Sequence, residues 1–365
     1  MTETSSPAAG PLSGVRIVEI DAIGPVPLAC AILADLGADI VRVARKDGGT
    51  WGEVGSAVLH RGRRRIALDL KDAGDRDALL GLIDRADALV EGFRPGVMER
   101  LGLGPDVCIG RNRSLVFARV TGWGQDGPLA KRAGHDINYI ALTGALHAIG
   151  ERDAPPTVPL NLVGDYAGGS MFAALGLVSA ILAARASGEG QVVDVAMVDG
   201  VASLMGLFHA LLGAGRWRDD RGANLLDGAA PFYRCYACAD GGHVAVGALE
   251  PQFFAALLDG LGIAPDRFAQ NDPACWPDMT SAFAAAFAAR TRDAWEEHFA
   301  GSDACVTPVL SIAEAFGHPA NVARAVFTET AGTRHGAPAP RFAATPGAAR
   351  VMTPAEIDRV VADWS

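Results

Sequence analysis

The chain is poor in lysine and carries no excess of positive charge. Its only lysines are Lys46, Lys71 and Lys131, and its 42 acidic residues outnumber 32 basic ones, which leaves a formal net charge of −10. This balance argues against general binding to nucleic acids or to anionic membranes, because both are negatively charged. We therefore expect neither kind of partner.

Targeting signals and long apolar runs are also scarce. The start of the chain, residues 1–6, is polar and lacks the charged and apolar regions of a signal peptide. No uninterrupted apolar run has the length that a membrane span requires. The last residues, 363–365, are not a peroxisomal signal. Six scattered cysteines in such a chain indicate a reducing compartment. These features predict a cytoplasmic protein.

Motifs for metals and dinucleotides are missing as well. Cys235 and Cys238 form a C-x-x-C pair, but no second pair or metal-spaced histidine accompanies it. On a strand the two thiols would point to opposite faces, which predicts a structural role and no metal site. The first predicted βαβ unit contains no G-x-G-x-x-G, so the sequence does not support an NAD-dependent oxidoreductase.

What is present is an alternation of strands and helices. Residues 15–20 and 39–43 read as buried strands on either side of a helix at 28–36, and similar alternation continues to residue 120. This pattern predicts an α/β fold, with a parallel sheet in a Rossmann-like large domain. A long apolar helix is expected from Asp165 to Ala186. With 50% hydrophobic residues the chain can build a substantial core, and its folding does not need disulfide bonds or metal ions.

A second, smaller α+β domain is expected further along. The region 213–224 is rich in Gly, Arg and Asp and reads as a linker. Residues 231–238 and 243–247 flank Asp240-Gly241-Gly242, which predicts a hairpin. The expected boundaries are 1–212 for the large domain, completed by 335–365, then 225–325 for the small domain, with a return linker at 326–334.

Arginines collect where predicted strands end. Arg42 and Arg45 follow the second strand, and Arg94 and Arg100 follow the fourth. The carboxyl ends of parallel strands are the usual ligand site of an α/β sheet, and arginine suits bidentate phosphate contacts. A polyphosphate ligand is therefore predicted there. The run 61–65, taken alone, is more typical of a solvated basic edge.

An imidazole and a carboxylate stand at the predicted starts of two successive helices. His135 follows Gly134, and Asp165 follows Gly164. Each residue alone has an ordinary interpretation, His135 as a helix-flanking side chain and Asp165 as an N-cap. Together they can face one carbon atom from opposite sides, which would let one remove a proton and the other return it.

Motifs along nearly the whole chain resemble the alpha-methylacyl-CoA racemases, a branch of the family III CoA-transferase superfamily. The discriminating motif is Gly134-His135-Asp136-Ile137-Asn138-Tyr139, because the transferases carry an aromatic residue at the histidine position. The other matching motifs are Pro11–Gly14, Asp35–Asp39, Ile66–Lys71, Gly92–Val97, Thr121–Gln125, Ala196–Gly200 and Ala248–Phe253.

The resemblance implies a set of functional residues. His135 and Asp165 would be the two acid/base groups, with Glu250 hydrogen-bonded to His135 and Asn161 supporting Asp165. The substrate would be an acyl-CoA thioester, so that CoA is part of the substrate and no separate cofactor is expected. The implied CoA contacts are Ile23 at the adenine, and Arg45, Leu68, Asp69, Leu70, Lys71, Gly92, Phe93, Arg94, Arg100, Gly134, Asp136, Ile137, Asn138 and Tyr139.

The resemblance also implies an interlocked homodimer, with each active site between the large domain of one subunit and the small domain of the other. Two alternatives stay open on the residues. A CoA-transferase would use Asp165 as a nucleophile, and a non-catalytic acyl-CoA-binding protein would keep the arginines without needing His135 or Asp165.

Overall fold

The computed structural model describes residues 10–46 and 55–365. By contacts the chain divides into two compact units. The first contains the described residues up to 143, then 160–204 and 319–365, and the second contains 144–159 and 205–318. The linear order of the sequence is therefore interrupted twice by the second unit.

The strands of the described residues are short, as is typical of such folds. They are β1 (Arg16–Ile20), β2 (Asp39–Ala44), β3 (Arg63–Ala67), β4 (Ala88–Glu91), β5 (Val116–Thr121), β6 (Val192–Ala196), β7 (Tyr233–Ala237), β8 (His243–Gly247), β9 (Val306–Val309), β10 (Phe327–Thr330), β11 (Thr333–Gly336) and β12 (Thr353–Pro354).

The α-helices alternate with these strands in the first half of the chain. They are α1 (Pro25–Asp35), α2 (Ser56–Leu59), α3 (Ala73–Ile83), α4 (Val97–Arg100), α5 (Pro105–Arg111), α6 (Asp136–Leu142), α7 (Ala145–Ala148), α8 (Phe172–Ser187), α9 (Met197–Leu204), α10 (Gly206–Gly213), α11 (Pro251–Gly260), α12 (Trp276–Phe287), α13 (Arg292–Phe299), α14 (Ile312–Ala315), α15 (Pro319–Ala323) and α16 (Ile357–Asp363).

A seven-stranded parallel sheet forms the centre of the first unit, in the order β12-β3-β2-β1-β4-β5-β6. One apolar cluster lies on the face covered by α1 and α8, and another lies on the face covered by α3 and α16. Strands covered on both faces bury both sets of side chains. The predicted parallel-sheet α/β fold is confirmed. Strand order reverses between β1 and β4, which makes this a topological switch point.

The predicted long helix from Asp165 begins differently. A π-helix spans Leu162–Met171, and the regular helix α8 continues it to Ser187. The combined 26-residue segment is long and apolar enough to cross a membrane by length and composition, which the count of uninterrupted apolar residues did not show. In this fold α8 packs Ala173, Leu177 and Ile181 into the core against the sheet.

The second unit is built around a three-stranded antiparallel sheet, β7-β8-β9. The predicted hairpin is β7 and β8, and β9 adds an edge strand that the sequence pattern did not indicate. Aromatic side chains of α11, α12 and α13 cover the sheet, among them Phe254, Phe283 and Trp295. Of the C-x-x-C pair, Cys235 is exposed and Cys238 is buried.

The contact units differ from the predicted boundaries at residues 144–159 and 205–212, which belong to the second unit. Arg221 gives a physical reason for the first of these. Its guanidinium donates hydrogen bonds to the carbonyl oxygens of His147, Glu151 and Ala154, at 2.9, 2.9 and 2.6 Å. Residues 319–334 join the first unit.

Candidate active site

A cavity of about 660 Å³ opens at the carboxyl ends of β1, β2, β3 and β4. This is the ligand site expected of a doubly wound sheet. Many of the predicted CoA contacts line it, and they come from the loops that follow three different strands. They are Arg45, Leu68, Asp69, Leu70, Lys71, Phe93 and Arg94.

Four basic side chains belong to this lining: Arg45, Lys46, Lys71 and Arg94. Apolar groups such as Val43 and Leu101 lie between them, so the cavity can take a ring system beside anionic groups. Lys46 was not among the predicted contacts. Its position directly after Arg45, at the end of β2, is the signal that could have indicated it. Lys46 forms an ion pair with Asp75 at 2.6 Å.

The other predicted CoA contacts lie outside the lining of this cavity. Ile23 is 65% exposed and follows β1, and Arg100 ends α4. Gly92 follows β4, where an added Cβ would come within 3.0 Å of Ala22 and 3.2 Å of Val26. This close packing explains why a residue without a side chain stands there.

The basic run 61–65 does not form a solvated edge. Arg63 and Glu19 are fully buried and pair at 2.9 Å, and Arg61 pairs with buried Asp35 at 2.6 Å. Arg42, expected to face a phosphate, instead donates to Asp21. These partners lie on other strands and helices, so the run itself could not reveal them. Arg42, Arg61 and Arg63 therefore form ion pairs with carboxylates inside the fold.

His135 is the N-cap residue of α6, as its position predicted. Its backbone N–H donates to Asn138 Oδ1 at 3.0 Å, and Asn138 N–H donates to the carbonyl of His135 at 2.8 Å. These reciprocal bonds fix the first turn of the helix. The side chain of His135 is exposed, as are those of Ile137 and Asn138.

The side chain of Tyr139 is hydrogen-bonded to the residue that precedes His135. Its hydroxyl donates to the carbonyl oxygen of Gly134, and its ring meets Trp123 edge-on, with the centroids 4.8 Å apart. Burial, followed by the nearby charge of Asp165, raises the pKa of Tyr139 to about 12, so the hydroxyl keeps its proton. An added Cβ at Gly122 would meet this ring at 2.0 Å.

Asp165 lies on the fourth residue of the π-helix, and Asn161 is the N-cap. The expectation that Asp165 itself begins the helix was therefore wrong by one turn. π-Helical turns are rare and are frequently found at functional sites. The Asp165 carboxylate accepts a hydrogen bond from Asn161 Nδ2 at 3.2 Å, and an added Cβ at Gly24 would lie 3.6 Å from Asp165 Oδ2.

The start of α6 and the π-helix are joined by one hydrogen bond. The backbone N–H of Asp165 donates to Asp136 Oδ2 at 2.6 Å. His135 is close enough that its charge lowers the pKa of Asp165. Desolvation is the larger effect, however, and it holds that pKa above the usual value of an aspartate, with the charge of Asp136 acting in the same direction.

Glu250 is the N-cap residue of α11 in the second unit, and its side chain is exposed. The expected hydrogen bond to His135 stays a prediction. In the part of the chain that the structure describes, no group of His, Cys, Asp and Glu side chains is arranged to hold a metal ion. Gly122, Gly124 and Gly127 do match G-x-G-x-x-G, but the next helix begins only at Asp136, which is not the dinucleotide arrangement.

A parallel α/β sheet with a cavity of basic and apolar side chains at its switch point has the architecture of an α/β ligand-binding protein. The family is shown by comparison: the model of CoA-transferase family III matches residues 12–356, and the chain belongs to this family.

Two similar proteins are alpha-methylacyl-CoA racemases. That of Mus musculus is 45% identical over 337 residues, which cover 92% of this chain and 87% of that protein. That of Homo sapiens is 43% identical over 320 residues, covering 87% and 82%. A crystal structure of a CAIB/BAIF family protein from Brucella suis superposes with a TM-score of 0.84. It covers 98% of this chain and 100% of its own, and at 24% identity it supports the fold.

Proposed function

We propose that the chain is a racemase that interconverts (R)- and (S)-2-methylacyl-CoA thioesters by proton transfer at the alpha carbon. The observation that carries the proposal is the proximity of His135 to Asp165, close enough for the charge of one to act on the other. They belong to two segments tied together by the Asp136 hydrogen bond, and burial favours the protonated form of Asp165. The two racemases similar to this chain over most of its length support the same activity.

In the proposed cycle, neutral His135 takes the alpha proton from one enantiomer while protonated Asp165 delivers a proton to the opposite face. The roles reverse for the other enantiomer. An ordinary aspartate, with a pKa of about 3.9, would be ionised too often for this exchange. The raised pKa of Asp165 brings its proton affinity closer to that of an imidazole. Either group can then be acid or base.

Removal of an alpha proton places negative charge on the thioester oxygen. Donors fixed before the reaction stabilise such an enolate best. The N–H of His135 is already donated to Asn138 Oδ1, so we propose that the backbone N–H of Asp136, the next in the first turn of α6, is the donor. The bonds within that turn and the Tyr139 anchor hold it in place.

CoA is proposed to bind in the cavity at the sheet edge. Arg45, Lys71 and Arg94 would contact its phosphates, with Arg100 close to the same loop and Ile23 beside the adenine. The lining supports this assignment, since it combines basic and apolar side chains at the switch point. In this proposal CoA is part of the substrate, and no further cofactor takes part.

We also propose that the chain works as a homodimer. The support is an apolar face of the π-helix and α8, which leaves Met171, Leu175, Val178 and Leu182 exposed, with Leu175 at 63% and Leu182 at 70%. Contiguous apolar surface of this kind is typical of an interface between protein chains. We also include in this proposal the hydrogen bond between Glu250 and His135 that the resemblance implies.

The experiment is racemisation in deuterated solvent with a panel of chiral 2-methylacyl-CoA esters. Wild-type protein should exchange the alpha proton and scramble the configuration. His135→Ala and Asp165→Ala should each lower the rate by about 10²-fold or more, the usual contribution of an acid or base. His243→Ala, at an exposed strand position of the second unit, is the matched control. Transfer of labelled CoA to a free acid, without exchange, would identify a CoA-transferase instead.

A further inference from the structure

The side chain of Asp136 has a property that its role in the helix does not explain. It is only 5% exposed, and its Oδ2 accepts the backbone N–H of Asp165 at 2.6 Å. Its Oδ1 is buried and has no hydrogen-bond partner among residues 10–46 and 55–365. Burial of a carboxylate costs free energy unless its oxygens are satisfied. A half-satisfied carboxylate at this position therefore needs a reason.

The approach of Asp136 to the π-helix depends on a missing side chain. An added Cβ at Gly164 would lie 2.6 Å from Asp136 Oδ2 and 2.8 Å from Asp136 Cγ. Both distances are far inside van der Waals contact, so any larger residue would push the carboxylate away. Gly164 precedes Asp165 directly, and it is this glycine that lets the two aspartates come together.

An uncharged amide could make the same hydrogen bond. Asparagine has a carbonyl oxygen in the place of Asp136 Oδ2, and it would accept the N–H of Asp165 without the cost of burying a charge. The hydrogen bond alone therefore accounts for the geometry but leaves the negative charge unexplained. The negative charge of Asp136 must therefore act on a neighbouring ionisable group, and Asp165 is the residue to which Asp136 is hydrogen-bonded.

We infer that Asp136 is a positioning residue: its carboxylate fixes the backbone of Asp165 and, through its negative charge, favours the protonated form of the Asp165 side chain. This inference rests on the proposed racemase cycle and explains how one of its acid/base groups is prepared. Two like charges at close range disfavour each other, so one of two neighbouring carboxyls tends to hold a proton. The direction of the Asp165 pKa agrees, because Asp136 contributes to raising it.

The groups around Asp165 act in both directions. From α6, Asp136 raises its pKa and His135 lowers it, while Tyr139 stays neutral. From the N-cap, Asn161 lowers it by a hydrogen bond. Helix α1 carries two ionisable side chains, the thiol of Cys30 and the carboxylate of Asp35. Asp35 is the last residue of that helix and pairs with Arg61.

Two further acidic residues stand on elements that contact the π-helix. Asp199 is on α9, and Asp194 on β6 accepts the backbone N–H of Gln125 at 2.9 Å. Neither contributes to the pKa of Asp165, whereas Asp136 does. Asp136 is therefore the carboxylate to change.

The consequence for the reaction is a balance between two proton distributions. One has neutral His135 and protonated Asp165, and the other has protonated His135 and ionised Asp165. They carry the same number of protons, and each begins one direction of the reaction. The charge of Asp136 stabilises the first distribution. Without it Asp165 becomes a weaker base and a stronger acid, so the two directions respond unequally.

The test is Asp136→Asn, which keeps the hydrogen bond and removes the charge. In protein labelled with ¹³C at the aspartate carboxyls, with the signal assigned by Asp165→Asn, we expect Asp165 to titrate at lower pH than in wild type. The kcat should fall in the direction in which Asp165 is the base and change by a different factor in the other. The loss should stay below the roughly 10²–10⁴-fold cost of deleting an acid/base group, because both groups remain.

The matched control is Asp87→Asn, whose carboxylate also accepts a backbone N–H, that of Arg16 at 2.8 Å, at the opposite end of the strands. It should leave the titration of Asp165 and both kcat values unchanged. An unchanged Asp165 titration in Asp136→Asn, with equal losses of kcat in both directions, would overturn the inference. A shifted titration in a protein whose wild type exchanges no alpha proton would support the role of Asp136 and overturn the racemase instead.

Discussion

Asn161 Nδ2 donates a hydrogen bond to Asp165 Oδ2 at 3.2 Å, and this bond stabilises the ionised carboxylate. The charge of Asp136 and desolvation act the other way. The pKa of Asp165 therefore reflects opposing effects: burial raises it, and the hydrogen bond from Asn161 lowers it.

Asn161→Ala should raise the pKa of Asp165 further, because the ionised form loses its hydrogen bond. In the proposed cycle the active form carries one proton on Asp165 or His135, so the acid limb of the profile would mark binding of a second proton. That limb should move to higher pH, opposite to the shift expected for Asp136→Asn. The measurement is kcat/KM against pH for both variants. Asn271→Ala, at an exposed position of the second unit, is the control, and a limb that does not move would contradict the role of Asn161.

Gly164→Ala should lower both stability and activity, since the added Cβ would lie 2.6 Å from Asp136 Oδ2. Overpacking of this kind costs about 1–3 kcal/mol. Gly81→Ala in α3 is the matched control, because its Cβ would meet nothing within 4 Å. At a helical position with free space, alanine should stabilise by about 0.5–1 kcal/mol. Denaturant unfolding and racemisation rates measure both effects, and equal behaviour of the two variants would refute the close approach.

Arg94→Ala should weaken binding of CoA, because Arg94 lines the cavity beside Phe93. A hydrogen bond to a charged group contributes about 1.5–3 kcal/mol, which corresponds to roughly 10- to 100-fold in affinity. Titration calorimetry with CoA at low and high ionic strength should show a smaller difference between wild type and variant at high salt. Arg113→Ala serves as the control, because the ion pair that Arg113 forms with Glu189 is exposed. Unchanged affinity for CoA in Arg94→Ala would show that CoA does not bind beside Arg94.

Arg63→Met should destabilise the first unit strongly. Its partner Glu19 is fully buried, and an uncompensated buried charge costs about 3–5 kcal/mol. Arg113→Met removes an exposed pair instead, for which we expect a change of about 0–1 kcal/mol. The shift of the urea midpoint compares the two variants. Similar small shifts in both would show that the Arg63–Glu19 pair is not needed for stability.

Leu182→Glu should weaken self-association, because it places a charge on the exposed apolar face of α8. Sedimentation at a series of dilutions measures the dimer fraction. Ile312→Glu, at an exposed apolar residue of the second unit, controls for the general effect of an added charge. A dimer fraction that is the same in wild type and Leu182→Glu would remove this face from the proposed interface.

The alternation of strands and helices follows from the sequence alone, because buried strands and amphipathic helices carry their own periodicity. The sequence also predicts that the loops after β2, β3 and β4 carry the cavity residues, since parallel strands end at one edge. The place of His135 before α6 followed from local signals too. In each case the information lies within a few residues.

The pairing of charges and the position of Asp165 depend on tertiary contacts. Arg63 meets Glu19 across 44 residues of sequence, and Asp136 meets Asp165 across 29. The π-helix depends on close packing by its glycines: an added Cβ at Gly169 would lie 2.7 Å from Pro25 of α1, and one at Gly168 would lie 2.6 Å from Val201 of α9. Such contacts join segments whose distance apart is fixed by the sheet, and no local pattern of residues contains that distance.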